Sequence, residues 1–332
     1  MKGLLFPLTI ALAALLAGCG GKDDEPSGNN VSRSEPAKAS AASQPAKPAT
    51  GNASAAEVAK ESRGKLKCPP KLATPARAAD APVDDIVGVR PGLAYDEAAQ
   101  LVMCSHDLMI VVDDKRARFN IQTYGQTVRQ GFHGRFAKDR VQKTGKEIMQ
   151  EMQDAAMARG TNRLVRDVAP GEAKWFVGAM GAPGAERVTD VSREEWFAEG
   201  RQPTVASVEK ALTDKYGPPT ERLQGDAGLR WAYDTFGRHI TESSPLFRAC
   251  HANAYVNSGV NFSPDCGVVV AARIVPLRDN PAIAESMTVI AVNQAEGYER
   301  IQATEQALLQ QENARRAKQA EDAAKNADGP QL

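Results

Sequence analysis

The sequence predicts an α+β fold in which helices pack on a mainly antiparallel sheet. Short stretches of alternating apolar residues are separated by turn residues, as β-hairpins require. Amphipathic stretches with helical periodicity lie between them, and the regular strand-helix alternation of a parallel fold is missing. A long helix at the C-terminus and a disordered tether at the N-terminus complete the predicted architecture.

Aromatic side chains mark the extent of the folded body. All of them except Phe6 and Tyr298 lie between Tyr95 and Phe262. Aromatic residues dominate the burial of apolar surface, so the body must enclose this stretch. Its length suits one large domain or two smaller ones. The predicted body and its possible sub-modules are residues 63–293, 63–168 and 169–293.

The first half of the body is predicted to alternate helices and strands. Tyr95–Met103 is amphipathic and carries acidic residues in its first turn, which the helix dipole favours. Leu108–Val112 is a short apolar strand. Residues 119–132 alternate around Gly125-Gln126 and predict a hairpin. From about residue 136 to 159 the periodicity is helical, with Val141, Ile148 and Met152 on one face.

The second half opens with a hairpin, Trp175–Val177 and Val188–Val191. Pro183-Gly184 suits the type II turn between them, because glycine takes the positive φ. A helix follows, capped by Thr204 and ended by Gly217, with apolar positions at helical spacing. Three further strands are predicted at Leu229–Tyr233, Val268–Ile274 and Met287–Val292.

Residues 294–332 are predicted to form a polar helical tail. Its large apolar residues are Ile301, Leu308 and Leu309. We expect a solvated helix that docks by its first turns. A coiled-coil or partner-binding arm is the alternative, although a coiled-coil seam needs more large residues.

The balance of charge excludes one class of partner. The chain has 41 Lys and Arg residues against 41 Asp and Glu residues, so its net charge is zero. Such a chain lacks the field that attracts nucleic acid, and no basic stripe with interleaved aromatic residues compensates. We expect no nucleic-acid partner.

The N-terminus has the organisation of an export signal. Lys2 precedes the apolar run Leu4–Leu16 and the small residues Ala17-Gly18. The run Leu15-Leu16-Ala17-Gly18-Cys19 resembles the lipobox of bacterial lipoproteins. The resemblance implies cleavage after a signal peptide of residues 1–18, a diacylglycerol on the Cys19 thiol, and an acyl chain such as palmitate on the new amino terminus. An ordinary secretory signal with a chance cysteine is the alternative.

The residues after Cys19 predict location and spacing. Gly20-Gly21 lacks the aspartate that retains lipoproteins in the inner membrane, so the resemblance implies the outer membrane, facing the periplasm. Residues 19–62 are rich in Ser, Ala, Pro, Lys, Asn and Gly. Such a stretch cannot bury enough apolar surface to order itself, and it predicts a disordered tether.

With Cys19 lipidated, an even number of cysteines remains for the oxidising periplasm: Cys68, Cys104, Cys250 and Cys266. Four cysteines allow three pairings. We favour Cys68–Cys104 and Cys250–Cys266, because each pair is nearest in sequence. A metal site is the alternative, but the spacings match no metal motif.

No pattern in the chain predicts catalysis, a metal or a cofactor. Ser105-His106-Asp107 cannot form a triad, because adjacent side chains point in different directions. Asp113-Asp114 and Glu194-Glu195 are typical of solvated turns and helix starts. The scattered histidines (His106, His133, His239, His251) lack partners at catalytic or ligand spacing.

The helix before Tyr216-Gly217-Pro218-Pro219 and the strand Trp231-Ala232-Tyr233 resemble small periplasmic modules. These are the outer-membrane lipoproteins of the SmpA/OmlA type and the β-lactamase-inhibitor-like fold. Gly88–Leu93 resembles the helix entry of the same modules. The first half lacks the Gly-x-Pro stop, since its helix runs into Cys104. As a whole the chain resembles proteobacterial lipoproteins.

These resemblances imply binding or scaffolding rather than catalysis. We expect a membrane-anchored periplasmic lipoprotein with a non-catalytic role and an envelope protein as partner. The loop closed by Cys250 and Cys266 and the C-terminal helix are candidate contact elements. The alternative is a periplasmic enzyme or small-ligand receptor with a site inside the α+β body.

Overall fold

One eight-stranded antiparallel sheet with helices on it forms the body and confirms the predicted α+β class. The structure is a computed structural model. It describes residues 51–69, 76–78, 80–115, 118–160, 168–223, 227–254, 260–327 and 329. The predicted signal peptide, and the predicted lipid attachment at Cys19, lie outside the described residues.

Five helices and eight strands follow one another along the described chain. In order they are α1 (Ala55–Arg63), α2 (Tyr95–Met103), β1 (Met109–Asp113), β2 (Gly131–Phe136), α3 (Gly145–Gly160), β3 (Ala173–Met180), β4 (Arg187–Trp196), α4 (Val205–Tyr216), β5 (Glu221–Leu223), β6 (Ala227–Asp234), β7 (Cys266–Pro276), β8 (Ala284–Asn293) and α5 (Gln294–Asn326).

The sheet consists of two halves, and in each half the strands run in chain order from one edge of the sheet to its centre. Its strand order is β1-β2-β3-β4-β8-β7-β6-β5. Each half is a helix followed by a four-stranded meander, α2 with β1–β4 and α4 with β5–β8. The halves join where β4 pairs with β8, with Val191 opposite Ala291. The repeat in the sheet therefore changes between Trp196 and Val205, whereas the possible sub-modules predicted from the sequence divide at residue 168.

The helical face of the sheet, which carries Trp175, Val191, Trp231 and Ala291, holds the main core. Helices α2 and α4 cover it, and their buried side chains join the same apolar cluster. Both tryptophans are almost fully buried. Thr204 caps α4 as predicted, since its side chain accepts a hydrogen bond from the Ser207 N–H at 3.1 Å.

The opposite face, which we call the loop face, carries Phe176, Ala232, Val269 and Val292. Buried Cys250 and Cys266 pack on it with the loop that they close. Helix α5 begins on the same side, where the Gln294 amide donates a hydrogen bond to the His251 carbonyl at 2.7 Å. Buried positions of α5 run from Gln294 to Glu312, so the helix packs on the body over more than half its length, further than the predicted first turns.

Residues 119–132 do not form the predicted hairpin, although their last two residues begin β2. The Gln130 Oε1 atom accepts hydrogen bonds from the backbone N–H groups of Arg118 and Phe119, at 2.7 and 2.8 Å. The Phe119 ring packs against Phe262, with 5.7 Å between centroids. The alternating pattern thus comes from side chains that anchor a loop, and not from a ladder of backbone hydrogen bonds.

The body begins before the predicted end of the tether at residue 62. Ala53 pairs with Arg140, and Ser54 and Glu57 form a capping box that starts α1. Ala59 of α1 is buried against Ile110 of β1. The capping box, the burial of Ala59 and an ion pair between Glu61 and Arg140 hold this helix on the body. Its low content of large apolar residues explains why the sequence did not predict it.

Candidate functional site

An apolar pocket of about 330 Å³ opens on the helical face beside α4. Its volume lies in the range of sites that hold a small molecule or one large side chain. Chain segments far apart in sequence contribute to it: the turn after Asp85, the end of β4, helix α4 and the start of β8. The main apolar lining residues are Ile86, Val87, Phe197, Val208, Leu212 and Met287.

Val87 at the mouth of this pocket has a strained backbone. Its φ is +48°, and the next residue, Gly88, has φ +83°. Ile86 and Val89 exchange backbone hydrogen bonds across these two residues, which makes a two-residue turn of the primed type. Asn or Asp usually occupies the first position of such a turn, and a β-branched residue there costs about 1–2 kcal/mol. The strained turn leaves the Val87 side chain 46% exposed at the pocket mouth.

Asp85 fixes this turn against α4. Its carboxylate accepts hydrogen bonds from the Lys215 ammonium at 2.9 Å and from the Gly88 N–H at 3.1 Å. Its carbonyl accepts one from the Tyr216 hydroxyl at 2.8 Å. Burial alone would raise the pKa of Asp85, but the bonds from Lys215 and Gly88 outweigh it and hold the pKa below its usual range. One wall of the pocket is thus held by an ion pair.

Arg193 brings a polar group to the apolar lining. Its side chain is 18% exposed, and its Nη1 atom donates to Glu195 at 2.6 Å. Its guanidinium lies 5.5 Å from the centroid of the Trp175 ring. The buried Nε–H has no hydrogen-bond partner among the described residues. An unpaired buried donor costs free energy, and this atom is shielded from the pocket as well as from solvent.

A larger, polar cleft of about 960 Å³ lies where β6 and β8 end. Asp84, Arg90, Asp234, Phe236 and Glu296 are among its lining residues. The Asp84 side chain is 10% exposed and lies 3.8 Å from Arg90, while its Oδ1 atom has no partner among the described residues. Burial raises the pKa of Asp84 to about 6.

The two disulfides form as favoured from the sequence. Cys68 is bonded to Cys104, and Cys250 to Cys266. The Cys250 and Cys266 side chains are buried, and the loop between them packs on the loop face. Neither this loop nor α5 lines the apolar pocket, so the structure does not bring these two predicted contact elements to it.

The polar residues whose sequence patterns resemble catalytic groups make structural contacts or lie exposed on the surface. His106 stacks on Phe136 with 4.3 Å between centroids, and Asp107 is fully exposed beside Arg63. Asp113 accepts a hydrogen bond from the Tyr95 hydroxyl at 2.7 Å. Over the described part of the chain, no cluster of three or more His, Cys, Asp and Glu residues could hold a metal ion.

The pocket residues were missed because they are apolar and dispersed. One signal was available: Val87 stands before Gly88 where a two-residue turn usually carries Asn or Asp. Comparison with known proteins adds nothing to the site, since no protein-family profile, curated protein or solved structure matches the chain. Among the helices that the structure describes, none is long and apolar enough to cross a bilayer.

Proposed function

We propose that the protein is a non-catalytic binding module of the bacterial cell envelope. Lipid on Cys19 holds it on the periplasmic side of the outer membrane. The apolar pocket beside α4 receives a large apolar side chain of a partner envelope protein. The observation that carries the proposal is the strained turn at Val87. This turn lowers the stability of the fold and leaves an apolar side chain exposed at the pocket.

The chemistry of the pocket defines the occupant. Apolar side chains from α4 and β8 would bury a Leu, Met or Phe side chain of the partner, which contributes about 1.5–3 kcal/mol on full burial. The exposed part of the Arg193 guanidinium would donate a hydrogen bond to a carbonyl or carboxylate oxygen beside that side chain. A polypeptide offers both groups together, because every side chain is flanked by backbone carbonyls.

The test is photo-crosslinking in cells, with a photoreactive amino acid in place of Val87. We expect one discrete adduct with an envelope protein. The control position is Leu223, which is exposed to the same degree on β5, far from the pocket in the sheet order. Adduct at Leu223 should be absent.

Variants inside the pocket decide whether the adduct reports the proposed contact. Met287→Asp places a charge in the apolar lining and should abolish the adduct with the probe at Val87. Arg193→Met should weaken it several-fold. If each variant gives as much adduct with the probe at Val87 as the natural chain does, binding through this pocket is refuted. The same holds if only the probe at Leu223 forms an adduct.

The anchor has its own test. Mass spectrometry of the purified mature chain should show a diacylglycerol on Cys19, and globomycin should cause an uncleaved precursor to accumulate. A mature chain that begins elsewhere, without lipid, would refute the anchor and leave the pocket proposal standing.

The polar cleft supports a second candidate, a small-ligand receptor. Asp84 lines the cleft, and the exposed part of its carboxyl group could accept a hydrogen bond from a ligand N–H or O–H group. Saturation-transfer NMR against a set of periplasmic amines and sugars tests this. Binding that disappears in Asp84→Ala and survives in Met287→Asp would assign the function to the cleft.

A further inference from the structure

Helix α3 has an apolar stripe that faces solvent. Ile148, Met149 and Met152 lie within about 100° of one another around the helix axis. Their exposed fractions are 47%, 57% and 62%. Acidic residues Glu147 and Asp154 lie on the opposite side of the helix. An exposed apolar stripe of this kind marks an interaction surface.

The predicted tether enters the body beside this helix. Ala53 and Arg140 exchange two backbone hydrogen bonds, at 2.9 and 2.8 Å. The Gln142 N–H donates to the Asn52 side chain at 2.8 Å. Thr144, whose hydroxyl lies at 3.4 Å from the Glu147 N–H, starts α3 two residues later. The first residues of the body and the first turn of α3 are therefore neighbours in space.

The charges around this junction suit a lipid headgroup layer. Lys138 and Lys146 are exposed on the chain that leads into α3 and on its first turn, whereas the exposed Lys143 pairs with Glu151 of the same helix. Long basic side chains at the flank of an apolar stripe can reach phosphate groups while their stems lie along the acyl boundary. The acidic residues opposite the stripe would remain in water. Such a helix lies in the plane of an interface.

We propose that α3 lies in the surface of the same membrane that holds the lipid on Cys19, with Ile148, Met149 and Met152 among the acyl chains. This inference rests on the proposed lipid anchor. If residues 19–50 form the predicted tether, it would span about 30 Å on average, and the anchor would keep α3 within reach of the bilayer. Three apolar side chains bind a bilayer weakly alone, and the tether supplies the high local concentration of lipid that they need.

The experiment uses the full lipidated chain in vesicles of phosphatidylethanolamine and phosphatidylglycerol with radiolabelled phosphate. A photoreactive amino acid replaces Met152 in one sample and Gln150, on the polar side of α3, in the matched control. We expect about ten-fold more labelled adduct at position 152 than at position 150, because only the stripe enters the lipid layer. Equal labelling at both positions would overturn the proposal.

Two further experiments distinguish a failure of this inference from a failure of the proposed lipid anchor. Lys138→Gln with Lys146→Gln should lower the adduct at 152 in phosphatidylglycerol vesicles and leave it unchanged in vesicles of phosphatidylcholine. In the Cys19→Ser chain, adduct at 152 should appear only with a large excess of vesicles. If the natural chain carries no lipid but the Cys19→Ser chain still labels at 152, the anchor fails and the α3 contact stands.

The same probe in living cells tests the competing occupant. A lipid adduct at position 152 supports the proposal. A protein adduct at position 152, with no lipid adduct, would overturn it and assign the stripe to a protein partner.

Discussion

Each half of the molecule inserts a long segment at the same place, between its second and third strands. In the first half, β2 and β3 are separated by α3, whose apolar stripe faces solvent. In the second half, β6 and β7 are separated by a segment that folds back on the loop face. The disulfide Cys250–Cys266 and buried Arg230 hold it there. Equivalent insertions thus differ in burial, since one packs on the sheet and the other exposes an apolar stripe to solvent.

The disulfides give the strongest test of this difference between the two halves. Chain entropy alone predicts a loss of about 4 kcal/mol without Cys68–Cys104 and about 3 kcal/mol without Cys250–Cys266, because the first closes the longer loop. The second pair is also buried in an apolar cluster, so its removal adds the cost of a cavity. We expect Cys250→Ala/Cys266→Ala to lose about 5 kcal/mol in urea unfolding. The reverse order of the two variants would show that the loop contributes little through packing.

Substitution of Arg230 is a second way to release the packed insertion of the second half from the loop face. Its guanidinium donates to the carbonyls of Cys250 and Phe247, at 3.2 and 2.9 Å, and pairs with Glu221 at 2.7 Å. Arg230→Met should cost about 3 kcal/mol, since two buried carbonyls lose their donors. Arg222→Met, on the neighbouring strand, removes an exposed ion pair with Glu209 and should cost less than about 1 kcal/mol. Similar losses in both variants would contradict the assigned role.

The segment before α2, which contacts α4 through Asp85, carries two adjacent aspartates whose pKa values shift in opposite directions. Because the pKa of Asp84 is raised to about 6 in the folded state, the folded protein binds more protons than the unfolded one between pH 4 and 6. The free energy of unfolding should therefore fall by about 2–3 kcal/mol as the pH rises through this window. Asp84→Asn should remove this slope.

Asp85→Asn is the matched control. The pKa of Asp85 is lowered by Lys215 and Gly88, so its stabilisation is present at neutral pH and is lost on acidification. Asp85→Asn should therefore destabilise the protein at pH 7, whereas Asp84→Asn should not. Urea unfolding at several pH values separates the two responses, and parallel curves would refute the assignment.

The smallest expected effect concerns how the two equivalent helices end. Helix α4 ends at Gly217 with φ +82°, whereas α2 ends at Cys104 with an ordinary φ of −84°. A Cβ atom at Gly217 would meet no atom within 4 Å, so Gly217→Ala should cost about 1 kcal/mol from backbone conformation alone. A loss above about 3 kcal/mol in thermal unfolding would show that packing at this helix end had been underestimated.

These different helix ends explain why the repeat was hidden in the sequence. The Gly-Pro-Pro stop after Tyr216 has no counterpart after Cys104, although both helices precede a four-stranded meander. Strand patterns were sufficient to predict β1, β3, β4, β6, β7 and β8, because each alternates or is continuously apolar. Strand order was not predictable, since the pairing of β4 with β8 joins distant parts of the chain.

The candidate site was less predictable than the fold. Its lining combines Val87, Arg193 and Met287, which come from three elements and share no spacing rule. The amphipathic pattern of α3 was visible, but periodicity alone does not tell a helix packed on a core from one whose apolar side meets solvent. Only the exposed fractions of Ile148 and Met152 show which applies.

The central position of β4 has a consequence for the order of assembly. Until synthesis reaches Ala284, β8 cannot pair, and β4 remains the open edge of the first four strands. Such an edge can recruit a strand from another copy and start aggregation. β4 carries Asp190, Arg193 and Glu194, an unusual load of charge for a strand at the middle of a sheet. Charged side chains on an open edge disfavour pairing with a second chain, so we expect these residues to limit aggregation of the incompletely synthesised protein.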